Sequence, residues 1–442
     1  MSILNVNKIN PVGGGSTITI AGIASVTNNI SVGNSVTAGS FVGPIEGAVT
    51  GNVTGNVTGN SDTASGLSGN PSINTTGIVT ATSFVPSQGQ LSHRNIVING
   101  ACNVAQRGTS STAEGFVVDR FRTQYNGADE APTISQANVN EGGAYTSGFR
   151  KCYKIQNGNQ TSGAGAADFV ILNYKIEAQD LATSGWNYTS ASGNATLSFW
   201  VKSSVSQNFY GYIRTRDGTE LGYPFETGTL TANTWTKVTK TIPGNASITF
   251  NLDNGEGVRI VISPFWGTNY TTSGKTLNAW AGWSDSSRTP DFTSTWWTTN
   301  DATFEITGLQ LEVGPVATPF ENRSYGDELR RCQRYYVTFG NGYNTGARGG
   351  SGGSLALYNY HLPVPLRASP TLLPNDGSLS GFSNRAYKYN GLSDSTNTPS
   401  LATNGFTQNC SFVYVQQTGH SIDDDRVSAI QQSGGIALSA EL

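Results

Sequence analysis

The spacing of apolar and polar residues divides the chain into three stretches. Between about residues 95 and 320, short alternating runs are separated by Gly, Asn and Ser clusters, the pattern of strands in an all-β sandwich. In ATLSFWVKS, Leu197, Phe199 and Val201 share one face. SITFNL repeats this with Ile248, Phe250 and Leu252, and GVRIVIS with Val258, Ile260 and Ile262. Helical periodicity is nearly absent here. TFEITGLQLEV carries Phe304 and Ile306 in one phase and Leu309, Leu311 and Val313 in the other, with Gly308 between them. A phase flip at a glycine predicts one long strand kinked by a β-bulge at Gly308.

One helix comes next, in NRSYGDELRRCQRYY. Ser324 is placed to cap it, with Asp327 three residues on, acids in the first turn and Arg334 in the last. Tyr325, Leu329, Cys332 and Tyr336 form a single stripe, which leaves Arg330, Arg331 and Arg334 for a solvated or inter-subunit face. Beyond residue 337 the pattern is again β. SLALYNYHLPVPLRASPTL reads as a strand ending in a Pro-rich turn, because each proline removes a ladder donor. CSFVYVQ alternates, as does GIALSAEL, with Ile436, Leu438, Ala440 and Leu442 on one face of a final strand. The chain is therefore expected to end inside the fold.

The first stretch differs from both. In GAVTGNVTGNVTGN, Val49, Val53 and Val57 share a strand face with Gly51, Gly55 and Gly59, while Thr and Asn take the other. One copy would bury a narrow ribbon, too little to offset backbone ordering at about 1–2 kcal/mol per residue. Three copies turned inward would enclose the valines, so an obligate homotrimeric β shaft is expected; the alternative is a disordered polar linker. Val-Thr-Ala-x-Ser-Phe-Val occurs twice, which suggests a recurring unit with Phe41 and Phe84 as equivalent anchors.

Composition narrows the function. Charged residues make up 12% of the chain, about half the roughly 25% usual in soluble domains, and there are 54 glycines. Thr, Ser and Asn supply polarity instead, which suits neutral partners such as sugars or further copies of the chain. A net charge of -3 without any Lys/Arg-rich run gives no footprint for nucleic acid. No run approaches the roughly 20 apolar residues of a membrane span, and the start lacks a secretory pattern, so synthesis in the cytoplasm without a signal peptide is expected. Cys102, Cys152, Cys332 and Cys410 match neither a zinc spacing nor a redox pair and read as small buried thiols.

Catalytic signals are missing from the residues. His93, His361 and His420 have no metal-ligand spacing, and no G-x-S-x-G elbow occurs. Asp423, Asp424 and Asp425 read as solvated acids in a turn rather than a calcium site. The Gly-rich run from Gly346 reads as a mobile loop rather than a phosphate cradle. No catalytic residue, metal or cofactor is expected. The candidate binding residues are the aromatics Trp266, Tyr270, Trp280, Trp283, Trp296 and Trp297, read as lying in loops between two strands. Exposed rings stack on the apolar face of a pyranose, and neighbouring Asn and Asp meet its hydroxyls. The alternative is that these rings pack the sandwich end or an inter-subunit seam.

Several stretches resemble a recurrent module of tailed-phage tail fibres and related receptor-binding virion proteins: RNIVINGACNVAQRGTS with VVDRF after it, LSFWVKSS, FEITGLQLEVGPVATPFENRSYGDELRRCQRYY, LPVPLRASPTL and the terminal LSAEL. The Gly-Asn-Val-Thr repeats and the start MSILNVNKI likewise look like structural proteins of marine phages, especially those infecting cyanobacteria. The sequence departs from the family at Ala105 and Phe121, where Trp is frequent. The resemblance implies a tail fibre with a jelly-roll-like, carbohydrate-binding-like sandwich. Its N-terminal region would attach to a tail or baseplate protein of the virion. Its distal end would meet host surface polysaccharide or lipopolysaccharide.

The resulting expectation is an all-β chain in three parts. Residues 1–93 form the attachment and shaft region, 94–322 the sandwich, and 323–442 the helix with a C-terminal β-rich domain. Alternatives in function are a purely structural virion component, such as a head fibre or tail decoration, or a polysaccharide depolymerase. A fragment spanning residues 1–95 is expected to sediment as a trimer, and a monodisperse monomer would overturn the shaft.

Overall fold

The computed structural model describes residues 93–340 continuously, then 343–344, 347–349, 355–374, 384–388, 391–395, 400–401, 412–418, 427–432 and 436–442. The valine repeats, Phe41, Phe84, Cys410, His420 and Asp423 to Asp425 lie outside the described residues. All the described residues belong to one unit, Thr82–Leu442.

Ten strands build two antiparallel sheets. In chain order they are β1 (Phe121–Asn126), β2 (Thr133–Asn138), β3 (Lys151–Gln156), β4 (Phe169–Glu177), β5 (Asn194–Ser203), β6 (Asn208–Thr215), β7 (Leu221–Thr229), β8 (Thr236–Pro243), β9 (Glu256–Trp266) and β10 (Thr303–Val313). The first sheet runs β2-β3-β10-β5-β8 and the second β7-β6-β9-β4-β1, with two-residue pieces at the edges. Most connections cross from one sheet to the other, a jelly-roll-like winding, and the all-β class expected from the alternation is what forms. Leu197, Phe199 and Val201 of β5 are fully buried, and Val258, Ile260 and Ile262 of β9 join the same core.

The strand over Thr303–Val313 carries the bulge its phase flip predicts. Thr307 is paired with Trp200 and Gln310 with Ser198, so one extra residue is accommodated along β5. Gly308 sits there at φ +65°, and a Cβ on it would lie 2.5 Å from the Phe149 ring. On either side of the bulge Phe304, Ile306, Leu309 and Leu311 all stay in the core.

SITFNL does not form a strand. Ile248 and Phe250 are buried, but Leu252 is 77% exposed and the segment makes one isolated bridge, Asp217 to Thr249. After β8 the backbone of Gly244 and Asn245 bonds back to Gly193 and Tyr188, so the chain turns away from any neighbouring strand, and Phe250 packs 4.7 Å from the Tyr188 ring. The alternation there marks a plug, not a ladder. Three one-turn helices, α1 (Gly142–Thr146), α2 (Ala178–Ala182) and α3 (Thr295–Thr298), lie in connections and are too short for a helical period to register.

The longer helix, α4 (Tyr325–Gln333), has the expected cap: the Asp327 N–H donates to Ser324 Oγ at 3.2 Å. Its buried stripe is narrower than expected. Leu329 and Cys332 pack with Ile98, Val104 and Tyr335, but Tyr325 is 60% exposed, and the helix stops before Tyr336. Arg334, read from the sequence as part of a solvated or inter-subunit face, is partly exposed but engaged within the chain. The helix end lies over the end of β4, where Arg334 donates to Glu177 at 3.0 and 2.9 Å, and Glu177 is wholly buried. Tyr335 and Gln179 donate to the same carboxylate. Arg330 remains exposed and Arg331 half-buried.

Five of the later strands complete the picture: β11 (Tyr336–Phe339), β12 (Leu355–His361), β13 (Thr371–Pro374), β14 (Phe412–Thr418) and β15 (Ile436–Ser439). β15 lies between β11 and β13, and β12 pairs with β14. Ala347–Gly349 pairs with β12, so a strand stands in the Gly-rich run where a loop is read. The last strand stops at Ser439, earlier than the alternation suggests, with Ala437 and Leu438 both fully buried. Beyond it Glu441 bonds Arg107 at 3.0 Å and also Arg120, whose guanidinium stacks 3.4 Å from the Tyr335 ring. Cys102, Cys152 and Cys332 are free and buried, and burial pushes the Cys102 thiol up to about 12.

These contacts have two measurable consequences. Burial alone would raise the Glu177 pKa, but the bonds from Arg334, Tyr335 and Gln179 outweigh it and hold the carboxyl below 4.5. A depressed folded-state value contributes stability above the unfolded value, and that contribution is lost as pH falls through the folded one. Glu177→Gln is therefore expected to cost about 3 kcal/mol near neutral pH, the lower end for a broken buried pair because Arg334 keeps partial access to water. In denaturant titrations its deficit against the unsubstituted chain should shrink below pH 4.5; a deficit independent of pH would contradict this. Gly308→Ala should lose roughly 2–4 kcal/mol by urea unfolding, from left-handed strain and overpacking against Phe149. A loss under about 0.5 kcal/mol would show that neither matters.

Candidate functional site

The six aromatics picked out in the sequence fall in three places. Trp296 and Trp297 lie on α3 and are completely buried; the Trp297 ring is 5.0 Å from Phe265 in the core and its indole N–H donates to the Gly163 carbonyl at 2.7 Å. Trp266 ends β9 and is 2% exposed. These three lie on regular elements rather than in loops, and no ring face of theirs is open to a ligand. Trp280 is half-buried, 5.2 Å from Tyr223, and donates to the Pro243 carbonyl at 2.7 Å.

Tyr270 and Trp283 do come together with Trp266, over the outer face of the second sheet. That face carries Ile171, Tyr212 and Val261, which need a cover, and the segment 267–292 supplies it. Trp283 packs 4.8 Å from Tyr212, with the Arg214 guanidinium 4.1 Å from its ring. Arg288 stacks 4.4 Å from Trp266 and 4.8 Å from Tyr270. The ring faces a pyranose would use are occupied by the protein's own guanidinium groups.

The outer face of the first sheet is different. β5 alternates, so with Leu197, Phe199 and Val201 inward it turns Ser198, Trp200 and Lys202 outward. The β8 residues opposite them in register are Thr239 for Ser198 and Lys237 for Trp200. The α1 connection crosses this face and delivers Phe149, which meets Phe320 edge to face at 5.0 Å. Gly143 lets that path pass close to the Trp200 ring, which a Cβ there would approach to 2.6 Å. The bulge at Gly308 leaves a gap in the face that Phe149 only partly fills. The result is a cleft of about 240 Å³ lined by Ser147, Phe149, Ser198, Trp200, Lys237, Gly308, Thr318, Pro319 and Phe320.

Its chemistry is that of a binding surface. Trp200 and Phe320 are half-buried and Lys237 is exposed, while Ser198 is 3% exposed. Ser198 Oγ makes no hydrogen bond and Lys237 no ion pair among the described residues. The lining contains no carboxylate, so the cleft offers stacking, hydroxyl contacts and one cation rather than the two-carboxylate chemistry of glycoside cleavage. None of its residues is among the six read from the sequence. The available signal was Trp200 itself, a large aromatic in the outward phase of LSFWVKS.

Two other cavities flank α4, of about 200 and 780 Å³, sharing His93, Arg323 and Arg331. Arg323 there is committed to structure, paired with Glu321 and Glu328 and donating to the Asn95 and Val97 carbonyls. Among the described residues no group of three or more His, Cys, Asp or Glu could hold a metal ion, and no helix is long and apolar enough to cross a membrane.

No protein-family model and none of the curated proteins matches the chain. Solved structures do. The chain is similar to a putative sugar binding protein from Bacteroides thetaiotaomicron, with TM-score 0.27 and 11% identity over 50% of this chain and 100% of that one. It is similar to the N-terminal cellulose-binding domain of Cellulomonas fimi β-1,4-glucanase C, at TM-score 0.25 and 10% identity over 49% of this chain and all of that domain. It is also similar to the enzymatically active domain of tailspike protein 4 of bacteriophage CBA120, at TM-score 0.26 and 10% identity, covering 50% of this chain but 21% of the tailspike chain. Likeness at this level leaves the jelly-roll-like fold resting on the strand order and pairing of the chain itself.

Proposed function

We propose that this chain is a non-catalytic, homotrimeric phage tail fibre protein that attaches the virion to its host by binding surface polysaccharide or lipopolysaccharide in the cleft beside Trp200. The observation that carries the reading is the cleft's composition. A partly open indole, a second half-buried ring, serine hydroxyls without a bond among the described residues and few charges are what a sugar ring requires of a protein surface. The resemblance of its sequence to tail fibre modules supplies the virion context, with the N-terminal region as the link to a tail or baseplate protein. Weak sites suffice in such an arrangement, because linking several on one axis raises avidity by about 10²–10⁴.

A second reading, a structural virion component, draws support from the second sheet, whose aromatic cover is used for packing. Host-cell binding by the full chain separates the two. Trp200→Ala is expected to weaken binding to isolated host polysaccharide at least about tenfold while the circular dichroism spectrum stays that of the parent. Unchanged binding by this variant would remove the cleft from consideration, and no binding by the parent would leave the structural role.

A further inference from the structure

We infer that the sugar taken by the Trp200 cleft carries an anionic group, which Lys237 receives; this rests on the reading of the cleft as a glycan site. Lys237 stands directly opposite Trp200 in the β5–β8 register, so the two side chains leave the same face as cross-strand neighbours about 5 Å apart at Cβ. It is the one charged residue lining the cleft among the described residues. The carboxylates of this sheet face are engaged elsewhere. Glu305 pairs with Lys202 at 3.2 Å, and Glu312 accepts from Gln310 and from the Thr318 N–H, each at 2.8 Å. Lys237 is thus left without a counterion among the described residues, beside an indole that fixes where a stacked ring must lie.

The geometry divides the work. Trp200 supplies a platform for the apolar face of the ring, and Ser198, one pleat further along β5, supplies a hydroxyl for its edge. An anionic substituent at the ring's other edge then meets Lys237. A carboxylate and a sulfate ester share this chemistry, and both occur on acidic polysaccharides.

The test uses the full chain and short oligosaccharides in solution, so that avidity does not enter. Dissociation constants are measured by calorimetry for a neutral oligosaccharide, its carboxylated counterpart and its sulfated counterpart, with the unsubstituted protein and with Lys237→Gln. The unsubstituted protein should prefer at least one anionic form about threefold to tenfold, the range for a charge-assisted contact at a partly exposed site. Raising salt should shrink that preference, and the better of the two anionic forms identifies the group. Lys237→Gln should lose the preference, so that the neutral, carboxylated and sulfated sugars bind it alike. Equal affinity for all three sugars, or a preference that survives the substitution, overturns the inference and leaves the glycan site standing. Failure of every sugar to bind overturns both.

Discussion

A single glycine in a left-handed conformation decides how the central strand of one sheet can serve both of its faces. Gly308 inserts an extra residue into β10, so Phe304 and Ile306 before it and Leu309 and Leu311 after it all reach the core despite their opposite phases. The same missing side chain opens a recess on the outer face, and Phe149 enters it. Without the bulge, one half of the strand would turn its apolar residues to the outside. The core and the cleft are thus two consequences of one backbone irregularity.

The sandwich and the C-terminal part of the chain are joined by ionic contacts where they meet. Glu177, at the end of β4, is wholly buried yet ionised because Arg334, Tyr335 and Gln179 satisfy it. Glu441 plays the corresponding part for Arg107 and Arg120. Such pairs contribute less by attraction than by what their loss would expose, an unpaired buried charge.

The two outer faces show how the same residue types take different roles. Over the second sheet, Trp266, Tyr270 and Trp283 cover Ile171, Tyr212 and Val261, and arginines cap the rings. Over the first, Trp200 meets Gly143 of α1 and stays half-buried. What distinguishes a packed aromatic from a usable one is the neighbour on its second face, and that neighbour is remote in sequence.

Local periodicity was enough to find the all-β class, the long kinked strand, the inward faces of β5 and β9, and the Ser324 cap. Each depends on residues within a few positions of one another. It failed where an identical local pattern serves another end. Ile248 and Phe250 alternate like strand residues but plug the sandwich end, and Arg334 looks solvated until β4 brings Glu177 beneath it. Trp296 and Trp297 read as loop aromatics because nothing nearby announces that α3 turns them into the core. The cleft was the least legible part, since Phe149, Trp200, Lys237 and Phe320 come from four separated segments. Their meeting is a product of sheet register and of the bulge. Composition and spacing determine which faces must be buried; only the pairing of distant strands decides which surface stays open, because exposure is a property of neighbours and not of the residue.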